Sequence, residues 1–204
     1  MISRNRSALL VTALAVASLG VSTAWQQFSA QRIADAEQTL RAQALLSVLP
    51  VDSYDNQPLN QPLHLTDTRL PGSALLAGYL ARKDGKASAV VLQSRTSGYG
   101  GPIDLMIAIA PQGRLIGVKV LQHNETPGLG AHIAEADNPM MAEFAGKDRR
   151  GTADERWALA RDKGDFDQVA GATITSRAVV TAVHDALRYF DDHATALTSG
   201  GPHE

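Results

Sequence analysis

Three features of the chain predict an α+β domain, an antiparallel-rich sheet with packed helices. Two pairs of strand-like segments, 74–83 with 87–95 and 103–110 with 114–122, are each joined by a short turn sequence. Helical patterns precede and follow this stretch, so helices have a sheet to pack on. No internal repeat interrupts the plan.

The elements follow in chain order. Residues 8–25 carry no formal charge after Arg4 and Arg6. As a helix they would span about 27 Å, close to the roughly 30 Å of a bilayer's hydrocarbon core. One N-terminal transmembrane helix is the expectation. A cleaved signal peptide is the alternative, because Ser22-Thr23-Ala24 has the small-x-small form of a cleavage site. Either way the arginines stay cytoplasmic and the rest is exported, to the periplasm in a two-membrane bacterium, as a single-pass inner-membrane protein if the helix is kept. Ile33, Leu40, Ala44, Leu45, Val48 and Leu49 recur at helical spacing up to Pro50, predicting an amphipathic stalk. Pro50, Pro58, Pro62 and Pro71 make 51–71 an irregular connector.

Asp84-Gly85 between the first two strands readily takes the positive φ angles of a tight hairpin, and Pro111-Gln112-Gly113 turns the second. The link 97–102 holds three glycines that could admit a ligand to the backbone or merely join two strands. Asn138 before Pro139 predicts a capped helix of about two turns through Phe144. Alternation over 156–162 predicts another strand. Thr175 or Ser176 is expected to cap a terminal helix through Phe190, with Val179, Val183, Ala186, Leu187 and Phe190 on one face. The domain plan is then 1–25 cytoplasmic end and membrane helix, 26–71 stalk and connector, 72–194 folded domain, and 195–204 flexible tail.

Composition narrows the function. The absence of cysteine removes thiol nucleophiles, disulfides, Cys-bound zinc and iron–sulfur clusters, so redox chemistry would need another cofactor. A net charge of −2 with 5% aromatic residues lacks the basic stripe and stacking platforms of nucleic-acid binders. No metal site is expected, since His123 and His132 are spaced wrongly for one helical metal face, and no nucleophile elbow or Walker-type loop is present.

Two loops could carry chemistry. His123-Asn124-Glu125-Thr126-Pro127-Gly128-Leu129-Gly130 follows a strand and can present donors and acceptors to a polar ring, although a single His or Glu there could equally be a satisfied surface group. Residues 165–176 precede a helix, with Gly171 and Ala172 small enough to admit a bulky group and Thr173, Thr175 and Ser176 supplying hydroxyls. A helix N-terminus favours phosphate. Simple capping is the alternative reading of these hydroxyls.

Together the anchor, His-x-Glu-Thr-Pro-Gly-Leu-Gly and Asp-x-x-x-Gly-Ala-Thr-x-Thr resemble the FMN-binding domain family, above all the G subunits of Rnf-type electron transport complexes. The resemblance implies FMN joined covalently, as a phosphoester, to the threonine ending Asp167-Gln168-Val169-Ala170-Gly171-Ala172-Thr173, installed by a flavin transferase that takes FMN from FAD. Ala170 stands where the family often has Ser or Thr, and Thr175 is the fallback acceptor. It also implies Gly171, Ala172, Thr175 and Ser176 around the phosphate, and Glu125, Thr126, Gly128 and Leu129 along the ring and ribityl chain. Lys163 and the 98–101 turn are further candidates. The implied protein is an electron-transfer subunit rather than a stand-alone enzyme, working with the other subunits of a membrane ion-transport translocase. A non-redox anchored assembly module, and an exported hydrolase using Thr173 or Ser176 with His123, are the rival readings.

Overall fold

The computed structural model describes residues 47–200; the expected membrane helix, residues 26–46 of the stalk and the last four residues lie outside them. Among the described residues no helix is long and apolar enough to cross a membrane.

The sheet is a four-stranded antiparallel meander in the order β1 (Ala74–Lys83), β2 (Lys86–Ser97), β3 (Pro102–Ile109) and β4 (Leu115–Gln122). Asp84 and Gly85 join β1 to β2 with φ angles of 50° and 74°, the paired positive values that match the twist of a two-residue hairpin. Gly113, at φ 85°, closes the second hairpin.

Because side chains alternate across a strand, each strand feeds two layers. Val90 and Leu92 of β2 and Ile103, Leu105, Ile107 and Ile109 of β3 join the large core under the terminal helix. Their neighbours Ala89, Val91, Met106 and Ala108 face the other way, onto a smaller cluster closed by Leu49. Val48 and Leu49, in the turn before Pro50, pack on this face of the sheet. The connector after Pro50 is irregular as expected, with two single 3-10 turns at Val51–Ser53 and Pro58–Asn60.

Among the described residues two α-helices complete the domain. α1 (Pro139–Ala142) is one turn rather than two, and Asn138 caps it by accepting the Met141 N–H at 3.2 Å. α2 (Thr173–Ser199) lies on the large core with Val179, Val183, Ala186, Leu187 and Phe190 buried. It passes Phe190 and takes in 195–199, bending at His193, whose φ of −122° is not helical. Nothing in that stretch breaks a helix, and the turn ends at Gly200 with φ 66°, the left-handed conformation that suits glycine after a helix.

The expected strand at 156–162 does not form. Asp154–Arg156 and Ala160–Asp162 are 3-10 turns, and the segment's β pairing is a single parallel bridge, Leu159 to Phe166. The alternation arises from an aromatic cluster instead: Phe166 lies 4.9 Å from Phe144 and 5.0 Å from Trp157 between ring centroids.

This segment is tied to α2 by charge. Arg149 bridges Asp154 and Asp191 at 3.2 and 3.0 Å, and His184 Nε2 lies 3.1 Å from Asp154. Hydrogen bonding from Arg149, then from His184, holds the Asp154 carboxyl down at about 2. A lowered folded-state value contributes stability above the ordinary value of 3.8 that is lost as pH falls toward 2. The expected result is that Asp154→Asn costs ~1 kcal/mol or less at neutral pH, the group being well exposed, and that the gap from wild type closes between pH 4 and 2 in urea titrations. A gap that widened on acidification would contradict this account.

Candidate functional site

Three loops meet at the first turn of α2. The first, residues 98–101, joins β2 to β3 and closes through the Gly98 N–H to the Gly101 carbonyl at 2.8 Å. Its Gly100 packs against the backbone of Asn124 so closely that a Cβ there would overlap the Asn124 carbonyl oxygen. Backbone cannot yield as a flexible side chain can, so Gly100→Ala is expected to destabilise by about 2 kcal/mol in equilibrium unfolding. Wild-type stability in that variant would mean the loops are not in contact.

The second loop leaves β4 at Gln122. Glu125 is 6% exposed and its two oxygens are both engaged. Oε1 accepts the Gly100 N–H at 3.0 Å, and Oε2 accepts the Thr175 hydroxyl at 2.6 Å. One carboxylate thus joins the 98–101 turn, the 123–130 loop and α2. Gly98 and Gly130 have no room for a Cβ because these same oxygens lie against them. The glycines that could have admitted a ligand admit Glu125. Thr126 is exposed, and its carbonyl accepts the amides of Leu129 and Ala131 to form the turn. Gly128 takes φ 76° within it. Leu129 is left 46% exposed, and its Cδ2 lies 3.0 Å from where a Cβ of Gly171 would stand. The two sequence motifs, some forty residues apart in the chain, are therefore side by side.

The third loop is fixed at one end by Phe166 in the aromatic cluster and at the other by α2 itself. The Asp167 N–H donates to Glu143 Oε2 at 2.9 Å, and the Val169 N–H donates to Ser176 Oγ at 3.0 Å. Gly171 has φ 73°. Ala172, buried, is the helix N-cap and offers no side-chain hydrogen bond. This corrects the expected cap: α2 begins two residues before Thr175, and neither Thr175 nor Ser176 caps it. Both lie inside the first turn at 0% exposure, the first held by Glu125 and the second holding the loop.

Thr173 differs from them. It is half-buried, and its Oγ1 accepts a hydrogen bond from Arg161 Nη1 at 3.0 Å while donating to Gln168 Oε1 at 3.2 Å. Its neighbour Ile174 lines a cleft of about 540 Å³ with Gly72, Arg95, Pro102 and Arg177. Its partner Gln168 lines another of about 450 Å³ with Gly128, Asn138, Val169 and Ala170. Ala170 is exposed at that cleft. Tyr99 and Leu129 from the first two loops and Ile174 from the first turn of α2, at 74%, 46% and 53% exposure, present apolar surface from sequence-distant segments. Lys163, in the left-handed conformation at φ 68°, accepts from Arg156 through its carbonyl, and its side chain is exposed.

Arg161 had no signal in the sequence. It stands twelve residues before Thr173 in a segment whose alternation suits a strand, and only the turn at Ala160–Asp162 brings it to the hydroxyl.

An FMN-binding domain family model matches residues 98–188, from the first of these loops to the body of α2. Among relatives, the G subunit of the ion-translocating oxidoreductase complex of Pseudomonas aeruginosa (strain UCBPP-PA14) is 48% identical over 96% of this chain and 92% of its own. That of Stutzerimonas stutzeri is 42% identical, covering 85% of this chain and 75% of its own. That of Vibrio cholerae serotype O1 (strain M66-2) is 36% identical, covering 95% and 93%. Among solved structures, Shewanella oneidensis NqrC aligns with a TM-score of 0.44 at 26% identity, covering 57% of this chain and 59% of that one. With more than nine-tenths of both chains covered at 48% and 36% identity, the chain belongs to the family of G subunits of ion-translocating oxidoreductase complexes.

Proposed function

We propose that this chain is a membrane-anchored, exported flavoprotein subunit that relays electrons in an Rnf-type ion-translocating complex through an FMN esterified to Thr173. Membership in the family and the match to an FMN-binding domain support the cofactor and the complex. The observation that supports Thr173 is selective access: of the three hydroxyls in the first turn of α2, those of Thr175 and Ser176 are fully buried and engaged, whereas Thr173 is half-buried.

The residues present suit a flavin phosphate. A guanidinium already touches the Thr173 hydroxyl, and the first-turn amides of α2 have no side-chain cap, so both charge and donors favour an anion there. Gly171 and Ala172 put little side-chain bulk beside Thr173. Leu129 offers apolar surface to the ring, with Thr126 and Gly128 in the same turn, while Glu125 acts beneath them by holding the loops in register. Lys163 adds positive charge two residues from Arg161.

When attached, the flavin supplies one-electron oxidation and reduction. The chain supplies the tether, the orientation of that tether and the polarity around it. No side chain is required as a general acid or base for electron relay. Covalent attachment suits an exported domain, where a lost cofactor cannot readily be replaced, and the uncharged 8–25 segment behind Arg4 and Arg6 supports anchoring at the inner membrane with the domain in the periplasm. The other subunits of the complex are then its redox partners, and a flavin transferase its maturation partner.

The test is protein matured together with a flavin transferase. A denatured band that fluoresces under ultraviolet light, with an intact mass raised by one FMN less water, is expected. A colourless protein of unmodified mass would leave a non-redox anchored module.

A further inference from the structure

We infer that Arg161 is the positioning residue for the phosphate at Thr173: it orients the acceptor hydroxyl before attachment and pairs with the phosphodiester afterwards. This rests on the assignment of Thr173 as the flavin acceptor.

Arg161 differs from the arginines around it in what it faces. Arg156 is paired with Asp165, and Arg177 forms two hydrogen bonds to Asp162 Oδ2 at 3.0 and 2.7 Å. Arg95 grips Asp104 through two bonds at 2.6 and 2.7 Å. Among the described residues Arg161 has no carboxylate partner; its side-chain hydrogen bond goes to the Thr173 hydroxyl. A full positive charge aimed at a neutral hydroxyl, with its remaining N–H donors unspent, matches a phosphate better than it matches the hydroxyl alone.

The geometry also orders the hydroxyl. With one lone pair of Oγ1 taken by Arg161 and the O–H directed to Gln168 Oε1, the second lone pair is left to face an electrophile. In the attachment reaction the oxygen of Thr173 forms the new bond to the flavin-side phosphorus of FAD. The phosphoanhydride bond breaks, AMP leaves with the bridging oxygen, and the hydroxyl proton passes to a base of the transferase. No electron is transferred. The product is a phosphodiester with one negative charge, borne on oxygens attached to the phosphorus next to the atom that Arg161 already contacts. A guanidinium there can bond two oxygens at once through its rigid planar fork, a geometry that a lysine ammonium does not match.

The test uses the full chain with a flavin transferase and FAD, following flavin incorporation by intact mass and the phosphodiester of the matured protein by phosphorus NMR. Arg161→Ala and Arg161→Gln are expected to slow incorporation about tenfold or more, the loss of a charge-assisted hydrogen-bonded pair. They should also move the phosphorus resonance, while the melting temperature holds because the side chain is exposed. Arg161→Lys should recover part of the rate. Wild-type incorporation in both neutral variants overturns the inference while leaving the flavin site intact. A slowed rate with an unmoved phosphorus resonance also overturns it, since the arginine would then serve the transferase rather than the phosphate. Wild-type protein with no adduct overturns the acceptor assignment itself.

Discussion

Replacing Thr173 by alanine is expected to abolish covalent flavin attachment and to leave the fold standing. The side chain is half-buried and its two hydrogen bonds, to Arg161 and Gln168, lie at the surface, so the change in stability should stay within about 1 kcal/mol. Loss of the flavin can then be assigned to loss of the acceptor oxygen. Neither neighbouring hydroxyl can replace it. Thr175 is shut away at 0% exposure with its proton committed to Glu125, and Ser176 is equally buried with Val169 donating to it. Reaching either would mean unwinding the first turn of α2 and breaking the bracing of three loops. Thr173→Ser, which keeps an oxygen in place, is expected to retain the adduct. Intact mass after maturation decides the matter; a full complement of covalent flavin on the alanine variant would show that the acceptor lies elsewhere.

The largest loss of stability is expected from Glu125→Ala. That change removes the acceptor for the Gly100 N–H and for the buried Thr175 hydroxyl, and leaves a void where Gly98 and Gly130 close on the carboxylate. An unsatisfied buried donor costs about 1–3 kcal/mol and the void adds to it, so a total of about 2–4 kcal/mol is expected. For a domain of this size the melting temperature should fall by roughly 5–15 °C. Flavin attachment should fail with it, because the helix start that presents Thr173 loses its brace. Glu125→Gln separates bracing from charge. Its amide can accept from Gly100 through the oxygen and donate to Thr175 through the nitrogen, since a threonine hydroxyl accepts as well as donates. About 1 kcal/mol of loss and retained flavin attachment are expected. If the alanine variant melted with the wild type, the bridging role would be wrong.

Much of the fold was legible because local and tertiary preferences agree there. Asp84-Gly85 favours the backbone that the hairpin needs, and the continuous apolar runs of β2 and β3 match a sheet covered on both faces. The misread segment, 156–162, shows where they part. Trp157 and Leu159 alternate with exposed residues, yet they are buried by packing around Phe166 and His184, and Leu159 pairs with one residue only. Periodicity reports burial, and an aromatic cluster buries alternate residues as well as a sheet does. The helix start failed for a related reason. Thr175 and Ser176 are good caps by type, but long-range partners claim their hydroxyls, leaving Ala172 to begin the helix.

The site divides in the same way. Its motifs were visible because they are short and contiguous, and the structure sets Leu129 beside Gly171. Glu125 stood out by sequence as a polar group near a ring; three-dimensional contacts give it the work of holding three loops. Arg161 could not be found by spacing, since an arginine in a turn has no signature until the hydroxyl it meets is known.

The central claim concerns one ester bond, and the sequence provides a convenient peptide. Trypsin cuts after Lys163 and Arg177, releasing residues 164–177 with Thr173, Thr175 and Ser176 together. Backbone fragmentation of that peptide from matured protein separates Thr173 from the others at Ile174. The account predicts the FMN mass on fragments containing Thr173 and none on those starting at Ile174 or beyond; a flavin on Thr175 or Ser176, or an unmodified peptide, would contradict it.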